Sequence, residues 1–223
     1  MSAASLPFLR LGHPLSILRP TLHNGPGWRI AIWVQGCSLN CTKDCLNPHL
    51  LPAEGGFEFT VDTIAQAIIA SGREGSQPFE GLTVLGGEPS DQIHSVTALF
   101  SAIQTAGLST MLYTGHTLEA LRRRFGADAQ ALLEVTDLLK DGPYVETGYR
   151  PDLAWRGSIN QRLHCLSSRY TPESLNQAFA TQGKGFSIVV TPRGDISLSG
   201  LQNRAAAAAM EKAFLSPGST EKI

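Results

Sequence analysis

Residues 30–45 have the sequence IAIWVQGCSLNCTKDC, and this stretch decides the fold class. Its first five residues, Ile30 to Val34, form an apolar run bounded by glycines, which is typical of a strand buried on both faces of a parallel sheet. Three cysteines follow at positions 37, 41 and 45. The stretch therefore predicts a buried strand that delivers a cysteine loop to the carboxyl-end edge of an α/β sheet, where such folds bind ligands.

Strand and helix patterns alternate along the chain after the cysteine loop. Thr60 is a candidate N-cap for the first helix and Gly72 a candidate C-terminal stop. Alternation of this kind predicts a mainly parallel sheet with right-handed crossovers. The predicted elements are a helix over 60–71, a strand over 81–85, a helix over 91–106, a strand over 109–113, a helix over 117–125 and a strand over 135–139.

The two ends of the chain show other patterns. Apolar pieces broken by prolines over residues 6–22 predict a short irregular hairpin. Residues 186–191 and 195–199 flank Pro192-Arg193-Gly194, which is a hairpin signal, and 205–214 is an alanine-rich helix. No clear linker interrupts the chain, so we expect a single α/β domain over 1–223, with a core over about 24–201, an open or partial barrel, and a loose tail over 216–223.

Composition excludes several classes of function. Charged residues make up 17% of the chain and the net charge is −1, so no basic surplus points to nucleic acid or to an anionic membrane. Arg122, Arg123 and Arg124 are expected on a solvated helix face. No apolar run approaches the length of a membrane span, and the N-terminus lacks a secretory pattern. We therefore expect a cytoplasmic protein without direct nucleic-acid binding.

The spacing of the three cysteines, with three residues in each gap, points to a metal site rather than to disulfides. Thiolates are soft ligands that suit iron–sulfur clusters, zinc or copper(I). A structural zinc site would need a fourth donor, for which His49 and Cys165 are candidates. A cubane cluster with three cysteines would instead keep one iron open for a ligand, as catalytic zinc sites keep an open position. The spacing favours the cluster and leaves zinc as the alternative, and Cys165 is expected to be a small buried hydrophobe in a short strand.

Several motifs occur together in an order that characterises one family. The motifs are Asn24-Gly25-Pro26-Gly27-Trp28-Arg29, Val34-Gln35-Gly36-Cys37, Leu46-Asn47-Pro48, Gly86-Gly87-Glu88-Pro89, Tyr113-Thr114-Gly115, Asp141-Gly142-Pro143-Tyr144 and the segment 156–162, RGSINQR. With these motifs the sequence resembles the radical S-adenosylmethionine superfamily, and more narrowly the small activases of glycyl radical enzymes such as anaerobic ribonucleotide reductase. The family usually places only two residues, the second aromatic, before its last cysteine; here three residues intervene and Asp44 precedes Cys45.

The resemblance implies a fold, two cofactors and a site. The fold would be a partial (β/α)6-type barrel, and the cofactors one 4Fe-4S cluster and S-adenosylmethionine. The partners would be a glycyl radical enzyme and an electron donor such as flavodoxin. No side chain is assigned as an acid or base, because the cofactor radical would perform the abstraction. The implied site residues are Cys37, Cys41 and Cys45 as ligands of three irons, Gly86, Gly87, Glu88 and Pro89 at the methionine end, and Thr114 and Gly115 near the sugar or adenine.

Simpler interpretations remain open for each of these motifs. Gly86 to Pro89 could be a strand-to-helix turn with a capping carboxylate, and Thr114-Gly115 could be a turn before an N-cap at Thr117. The segment 156–162 could face a partner or substrate, or could be a solvated loop. Three functions are therefore compared: an activase, a radical enzyme that acts on a small molecule, nucleotide or peptide, and a non-catalytic metal-stabilised binding module.

Overall fold

The structure is a computed structural model that describes residues 7–43, 45–74, 78–182, 185–190 and 196–200, together with positions 205, 209 and 212. Within these residues the chain forms α-helices and strands in alternation. The strands are β1 (Phe8–Leu11), β2 (Trp28–Val34), β3 (Phe57–Thr60), β4 (Phe79–Gly86), β5 (Ser109–Tyr113), β6 (Leu138–Asp141), β7 (Arg162–Cys165), β8 (Ser187–Val190) and β9 (Ile196–Ser199). The helices are α1 (Val61–Glu74), α2 (Ile93–Thr105), α3 (Leu118–Glu134) and α4 (Pro172–Gln182).

Seven of the strands form one sheet in the order β3-β1-β2-β4-β5-β6-β7. The four central strands, β2, β4, β5 and β6, run parallel to one another, which confirms the α/β class and the parallel centre. Both edges are antiparallel, because β1 pairs antiparallel with β2 and β3, and β7 pairs antiparallel with β6. The sheet is therefore mixed rather than mainly parallel, and within the described strands it does not close.

The two faces of the sheet carry different cores, as strand alternation requires. Leu112 of β5 and Leu139 of β6 belong to the larger core, which α1, α2 and α3 contribute to and cover. Met111 and Leu138, their neighbours in the strands, belong to a second core with Trp155 and the helix α4. Tyr113 and Lys140 follow Met111 and Leu138 by two residues in the same strands. Their side chains therefore lie on this second face of the sheet, the one that α4 and Trp155 cover.

A fully buried arginine ties the central strands together. The Arg29 guanidinium donates from Nε to the Pro26 carbonyl at 3.0 Å, from Nη1 to Thr83 Oγ1 at 3.0 Å, and from Nη2 to Ser109 Oγ at 2.6 Å. Nη2 also reaches the Tyr170 hydroxyl at 3.4 Å. Buried charges are tolerated when their donors are satisfied in this way, so Arg29 fixes β2, β4 and β5 in register beneath the segment that begins at Asn24.

The N-terminal prediction is wrong. The described residues of this segment, 7–22, do not pair with one another; β1 pairs along its full length with β3 and enters the main sheet. Leu9 and Leu11 are fully buried, so this strand needs partners that complete a core, and the prolines that follow prevent a local return strand. The strand β3 itself was not predicted.

Helix α1 begins as expected and ends later than expected. Thr60 Oγ1 accepts the N–H of Thr63 at 3.2 Å, which confirms the N-cap. The helix continues through Gly72 to Glu74, so the predicted stop at Gly72 is wrong. A Cβ at Gly72 would overlap the ring of Phe79. This glycine therefore serves helix-to-sheet packing rather than termination.

The region between α3 and β6 also differs from expectation. Thr117 caps α3, and a kink at Gly126, where φ is 52°, interrupts the helix directly after the predicted end at residue 125. The helical segment that follows this kink, up to Glu134, was not predicted. Strand β6 covers Leu138–Asp141 instead of 135–139, because the Asp137 carboxylate accepts the N–H of Thr110 and holds the preceding turn away from the strand. The shift places Lys140 within the strand.

The predicted C-terminal hairpin is confirmed: β8 pairs antiparallel with β9. Thr21 Oγ1 contacts the hydroxyls of Ser187 and Ser199 at 3.1 and 3.2 Å, which docks the hairpin against the segment that precedes Asn24. The turn Pro192-Arg193-Gly194 and the tail over 216–223 lie outside the described residues. The predicted helix over 205–214 is described only at positions 205, 209 and 212, all of them helical.

In the part of the chain that the structure describes, none of the helices has the length and apolar character required to cross a bilayer.

Candidate functional site

A cavity of about 240 Å³ lies where the four parallel strands end. The loop after β2, the turn after β4 and the carboxyl ends of β5 and β6 all contribute to its wall. This confirms the expectation that the cysteine loop meets the other motifs at the carboxyl-end edge. The residues that these elements contribute include Cys37, Cys41, Cys45, Gly86, Gly87, Glu88, Tyr113, Thr114, Gly115, Lys140 and Gly142.

The three cysteines of the loop are unpaired thiols that lie near one another. Burial raises the pKa of Cys41, and the charges of Cys37 and Cys45 raise it further. Burial also raises the pKa of Cys45, with a smaller contribution from Cys37. Such mutual repulsion disfavours three thiolates in the absence of a cation, and a bound metal centre would relieve it.

Hydrogen bonds to two other segments hold the base of the cysteine loop. The N–H groups of Gly36 and Cys37 donate to the carbonyls of Leu50 and Leu51 at 2.9 and 3.1 Å. On the other side of the loop, the Asp91 carboxylate accepts the Ser38 N–H at 2.6 Å and the Ser38 hydroxyl at 2.7 Å. The first part of the loop is therefore fixed to the turn that follows β4.

The two glycines after β4 allow the turn to touch the cysteine loop. Gly87 N donates to the Val34 carbonyl at 2.9 Å, and Glu88 N donates to the Gly36 carbonyl at 2.8 Å. A Cβ at Gly87 would overlap the Gly36 carbonyl, and Gly86 has a φ of +117° with Val34 backbone against it. Only glycine fits this approach, so these residues bring chain segments together whatever they also do for a ligand.

Glu88 is almost fully buried and accepts four hydrogen bonds. Its Oε1 accepts from Ser90 N at 2.9 Å, Ser90 Oγ at 2.7 Å and Thr114 Oγ1 at 2.8 Å, while Oε2 accepts from Gly115 N at 2.9 Å. The bond from Ser90 caps the short turn that begins at Pro89, so the capping interpretation is confirmed. The same carboxylate also lines the cavity, and Oε2 keeps a free lone pair.

Thr114 and Gly115 connect the end of β5 to strand β6 on one side and to the turn after β4 on the other. Thr114 N donates to the Lys140 carbonyl at 3.0 Å, and its hydroxyl reaches Glu88. A Cβ at Gly115 would overlap the Leu39 side chain of the cysteine loop. The structure thus brings these two predicted residues into the site as neighbours of Glu88 and the cysteines.

Lys140 is a cavity residue that sequence reasoning missed. Its Nζ lies 4.5 Å from the centroid of the Tyr113 ring. Burial lowers its pKa to about 8, against the charges of Glu88, Cys41 and Asp141, which raise it, so the ammonium form dominates at neutral pH. A lysine at the carboxyl end of an otherwise apolar strand was the available signal, but the predicted strand ended one residue too early.

Asn24 is a second cavity residue that had been quoted only as part of a motif. It is 5% exposed, and its Oδ1 finds no hydrogen-bond partner among the described residues. Its backbone is fixed, because Thr83 Oγ1 donates to the Asn24 carbonyl at 2.8 Å and Gln182 Nε2 donates to the Gly25 carbonyl at 3.1 Å. A rigid segment therefore holds a buried, unused acceptor in the wall of the cavity.

The segment 156–162 is divided between the cavity and the surface. Arg156, Gly157 and Gln161 line the cavity, and Arg156 Nε has no hydrogen-bond partner in the described part of the chain. Asn160 is exposed and donates to the Pro143 carbonyl at 2.7 Å. Arg162 pairs with the carboxylates of Asp141 and Glu119 instead. A purely solvated loop is therefore the wrong description for its first half.

The alternative donors for a zinc ion lie elsewhere. Neither His49 nor Cys165 is among the described residues of the cavity wall. Cys165 lies in β7, partly buried against the second core, as predicted. Among the residues that the structure places, no three His, Cys, Asp or Glu side chains are arranged as ligands of a single metal ion. Three soft thiols around a wider cavity fit a cluster better than a lone ion.

Fold and site together define an α/β iron–sulfur protein with room for a second ligand beside its thiols. Residues 23–164 match the family described as the 4Fe-4S single cluster domain. The anaerobic ribonucleoside-triphosphate reductase-activating protein of Vibrio cholerae is 33% identical over 145 residues, which are 63% of this chain and 90% of that protein. The protein with the same name from Enterobacteria phage T4 is 31% identical over 145 residues, 85% of its length.

A more distant similarity reaches a second kind of activase. The pyruvate formate-lyase 1-activating enzyme of Escherichia coli is 32% identical over 116 residues, covering 52% of this chain and 45% of that enzyme. The chain belongs to the 4Fe-4S single-cluster family, as one of the radical S-adenosylmethionine activases. It is accordingly an oxidoreductase with a 4Fe-4S cluster and S-adenosylmethionine as cofactors, and the non-catalytic binding module is set aside.

Proposed function

We propose that this chain activates a glycyl radical enzyme, most closely one like the anaerobic ribonucleotide reductases, and that Cys37, Cys41 and Cys45 hold three irons of its cluster. The bound cofactors would supply one electron to break a carbon–sulfur bond of S-adenosylmethionine, giving methionine and a 5′-deoxyadenosyl radical that takes a hydrogen atom from a glycine of the partner. Everything else is positioning and exclusion of water by this chain's residues.

One observation carries the proposal. The three thiols of a single loop share a cavity with the turn after β4 and the end of β5, and hydrogen bonds lock those three segments to one another. A cofactor that binds to the cluster and to the protein at once would need the thiols and these two segments side by side. A purely structural metal site would not need the two segments beside its thiols.

The residues after β4 and β5 would bind the methionine end of the cofactor. Glu88 Oε2 has a lone pair left for the cofactor ammonium after its bond from Gly115. Gly86 and Gly87 hold the backbone of the turn against the cysteine loop, and Pro89 starts the turn that fixes the Glu88 carboxylate. Thr114 and Gly115 would lie near the sugar or the adenine.

The other half of the cavity would receive the partner's glycine segment. A glycine offers no side chain, so recognition must use its backbone N–H and C=O groups. Asn24 and Arg156 line the cavity, and Asn24 Oδ1 and Arg156 Nε are a buried acceptor and a buried donor without partners among the described residues. Polar side chains of this kind would suit a peptide segment better than a small apolar substrate.

Four further expectations form part of the same proposal. The open sheet would be the core of a partial (β/α)6-type barrel, supported by its four parallel strands, and residues 1–223 would form one domain. The unpaired thiols fit the reducing cytoplasm. The electron would come from a flavodoxin-like donor.

Anaerobic reconstitution of the full chain tests this function. We expect about four irons per chain, formation of 5′-deoxyadenosine from S-adenosylmethionine with dithionite, and a glycyl radical signal in electron paramagnetic resonance only when a candidate partner is present. Cys41→Ala should abolish both products, whereas Cys165→Ala is the matched control that should retain them. If 5′-deoxyadenosine forms but no reductase-like partner ever acquires a radical, the small-molecule alternative replaces the activase. If the chain binds zinc in place of iron, both the activase and the small-molecule radical enzyme are ruled out.

A further inference from the structure

The C-terminal extension of the chain, which we define as α4 and the hairpin of β8 and β9, lies outside the part that matches the 4Fe-4S family, because that match ends at residue 164. The extension nevertheless reaches the cavity. Ser199 and Gly200, at the end of the hairpin, line the cavity wall, whose other described residues all lie within the matched part. The extension therefore adds to a site that the family part builds.

One side chain of the extension holds the segment 22–27, which has no helix or strand of its own. Gln182, the last residue of α4, donates from Nε2 to the Leu22 carbonyl at 2.7 Å and to the Gly25 carbonyl at 3.1 Å. The Gln182 Oε1 atom accepts the N–H of Gly27 at 2.9 Å. This amide thus satisfies three backbone groups that regular secondary structure does not satisfy.

The segment 22–27 needs support from outside because two of its residues are glycines in the positive-φ region. The φ angle is +149° at Gly25 and +69° at Gly27. Glycine loses more conformational freedom on folding than any other residue, so hydrogen bonds from other elements must fix this backbone. Thr83 of β4 donates to the Asn24 carbonyl at 2.8 Å. The segment is therefore held between the main sheet on one side and α4 on the other.

The hairpin packs directly against His23, a further residue of the cavity wall. A Cβ at Gly200 would lie 2.4 Å from His23 Cβ, and a Cβ at Gly185 would lie 2.7 Å from His23 Cε1. The His23 side chain is thus in contact with backbone at both ends of the hairpin, which Thr21 fixes through two serine hydroxyls. The hairpin therefore determines the shape of this part of the wall.

The residues that the extension holds adjoin the two polar groups assigned above to the partner's glycine segment. Asn24 lies within the segment that Gln182 fixes. Arg156 follows Trp155, whose ring packs edge-on against Phe179 of α4 with 5.7 Å between the ring centroids. The cofactor, in contrast, is assigned to the cysteine loop and to the turns after β4 and β5. The extension therefore supports the part of the cavity that the partner would occupy.

We propose that the C-terminal extension is a specificity-determining element for the protein partner, and that Gln182 is the positioning residue through which it acts. By fixing the segment 22–27, Gln182 sets the place of Asn24 before the partner's glycine segment binds, which reduces the conformational entropy lost on binding. This inference rests on the proposed function, because it assumes that a glycine segment of a protein occupies the cavity beside the cofactor.

The first test compares Gln182→Ala with Gln177→Ala in the full chain. Gln177 is the matched control, because it is an exposed glutamine on the same helix. Hydrogen–deuterium exchange of the backbone amides of 22–27 needs no partner and reports directly on the order of the segment. We expect Gln182→Ala to speed exchange of the Gly27 amide about tenfold or more, since this N–H loses its acceptor. Gln177→Ala should leave the exchange rate unchanged.

The second test measures glycyl radical formation by the reconstituted chain, with a purified anaerobic ribonucleoside-triphosphate reductase as the probe. Gln182→Ala should raise the KM for the reductase about fivefold or more, while kcat changes by less than about twofold. Iron content and the 5′-deoxyadenosine formed without reductase should stay within about twofold of wild type, because neither depends on the partner. Gln177→Ala should match wild type in all of these quantities.

Unchanged exchange of the Gly27 amide in Gln182→Ala would overturn the positioning role of Gln182. Faster exchange with an unchanged KM would overturn the assignment to the partner, and so would an equal loss of iron or of partner-free 5′-deoxyadenosine, which would make Gln182 a structural residue only. A wild-type chain that forms 5′-deoxyadenosine but gives the reductase no radical would overturn the proposed function, and the partner assignment with it. The exchange rate of Gly27 would still decide the positioning role separately.

Discussion

Replacing Glu88 with glutamine should destabilise the protein even before a cofactor is bound. The carboxylate accepts four hydrogen bonds, three at Oε1 and one at Oε2. A glutamine amide must place its NH2 group at one of these positions. If it replaces Oε2 it faces the N–H of Gly115, and if it replaces Oε1 it faces the N–H of Ser90. Either orientation leaves one backbone donor without its acceptor and weakens the remaining bonds.

The magnitude follows from the cost of such groups. An orphaned buried donor costs about 1–3 kcal/mol, and bonds to a charged acceptor are worth more than neutral ones, so Glu88→Gln should lower the free energy of unfolding by roughly 2–3 kcal/mol. The assay is urea unfolding of the cluster-free protein by circular dichroism. Glu58→Gln, an exposed carboxylate paired with Arg10, should change stability by less than about 0.5 kcal/mol. If Glu88→Gln unfolds at the same urea concentration as wild type, the four hydrogen bonds of Glu88 do not stabilise the fold and this reasoning is wrong.

Three further changes test other parts of the structure. Burial lowers the pKa of His13 to about 4 from 6.5, so between pH 6.5 and pH 4 the imidazole is protonated in the unfolded chain but not in the folded one. The free energy of unfolding should therefore fall as the pH decreases through this range, by up to about 1.4 kcal/mol per pH unit. His13→Gln should reduce this pH dependence when urea unfolding is measured across the same range. Gly87→Ala should reduce iron incorporation several-fold because its Cβ overlaps the Gly36 carbonyl, while Gly148→Ala, whose Cβ would come no closer than 3.3 Å to its nearest neighbour, Ile159 Cγ1, should not; equal iron contents would refute this. Arg156→Ala should impair radical transfer to a partner and spare iron content, whereas Asn160→Ala should have a smaller effect; loss of iron with Arg156→Ala would assign that residue a structural role.

The parallel centre of the fold could be predicted because its signals are local. The apolar run of β2 is continuous, β5 was predicted at its observed bounds, Ser109–Tyr113, and both Thr60 and Thr117 show the cap chemistry that their sequence context implies. Once those strands are parallel, the motifs at their carboxyl ends must meet. The position of the site followed from this alone.

What could not be predicted depends on long-range packing. Strand β3 is four residues long and only partly apolar, and it exists because β1 needs a partner. Gly72 has the sequence context of a helix stop, but its missing side chain leaves room for the ring of Phe79, which lies outside the helix in β4. The start of β6 moved because Asp137 binds Thr110 across the sheet. Lys140 entered the site as a consequence of that shift.

The roles of the two glycines after β4 show the same limit. The sequence suggests that they let a ligand approach the backbone, and the structure shows that the Cβ positions are filled by Val34 and Gly36. Local sequence identifies where a side chain is forbidden, but the register between β2 and β4 decides what occupies the space.

Mössbauer spectroscopy of the chain reconstituted with 57Fe tests the central claim most directly, because it resolves individual irons of a cluster. Three cysteine ligands and one open corner predict a 4Fe-4S spectrum in which S-adenosylmethionine shifts a single iron and leaves the other three unchanged. A spectrum that S-adenosylmethionine does not alter, with all four irons alike, would contradict the open corner and with it the assignment of Cys37, Cys41 and Cys45 as the complete set of protein ligands.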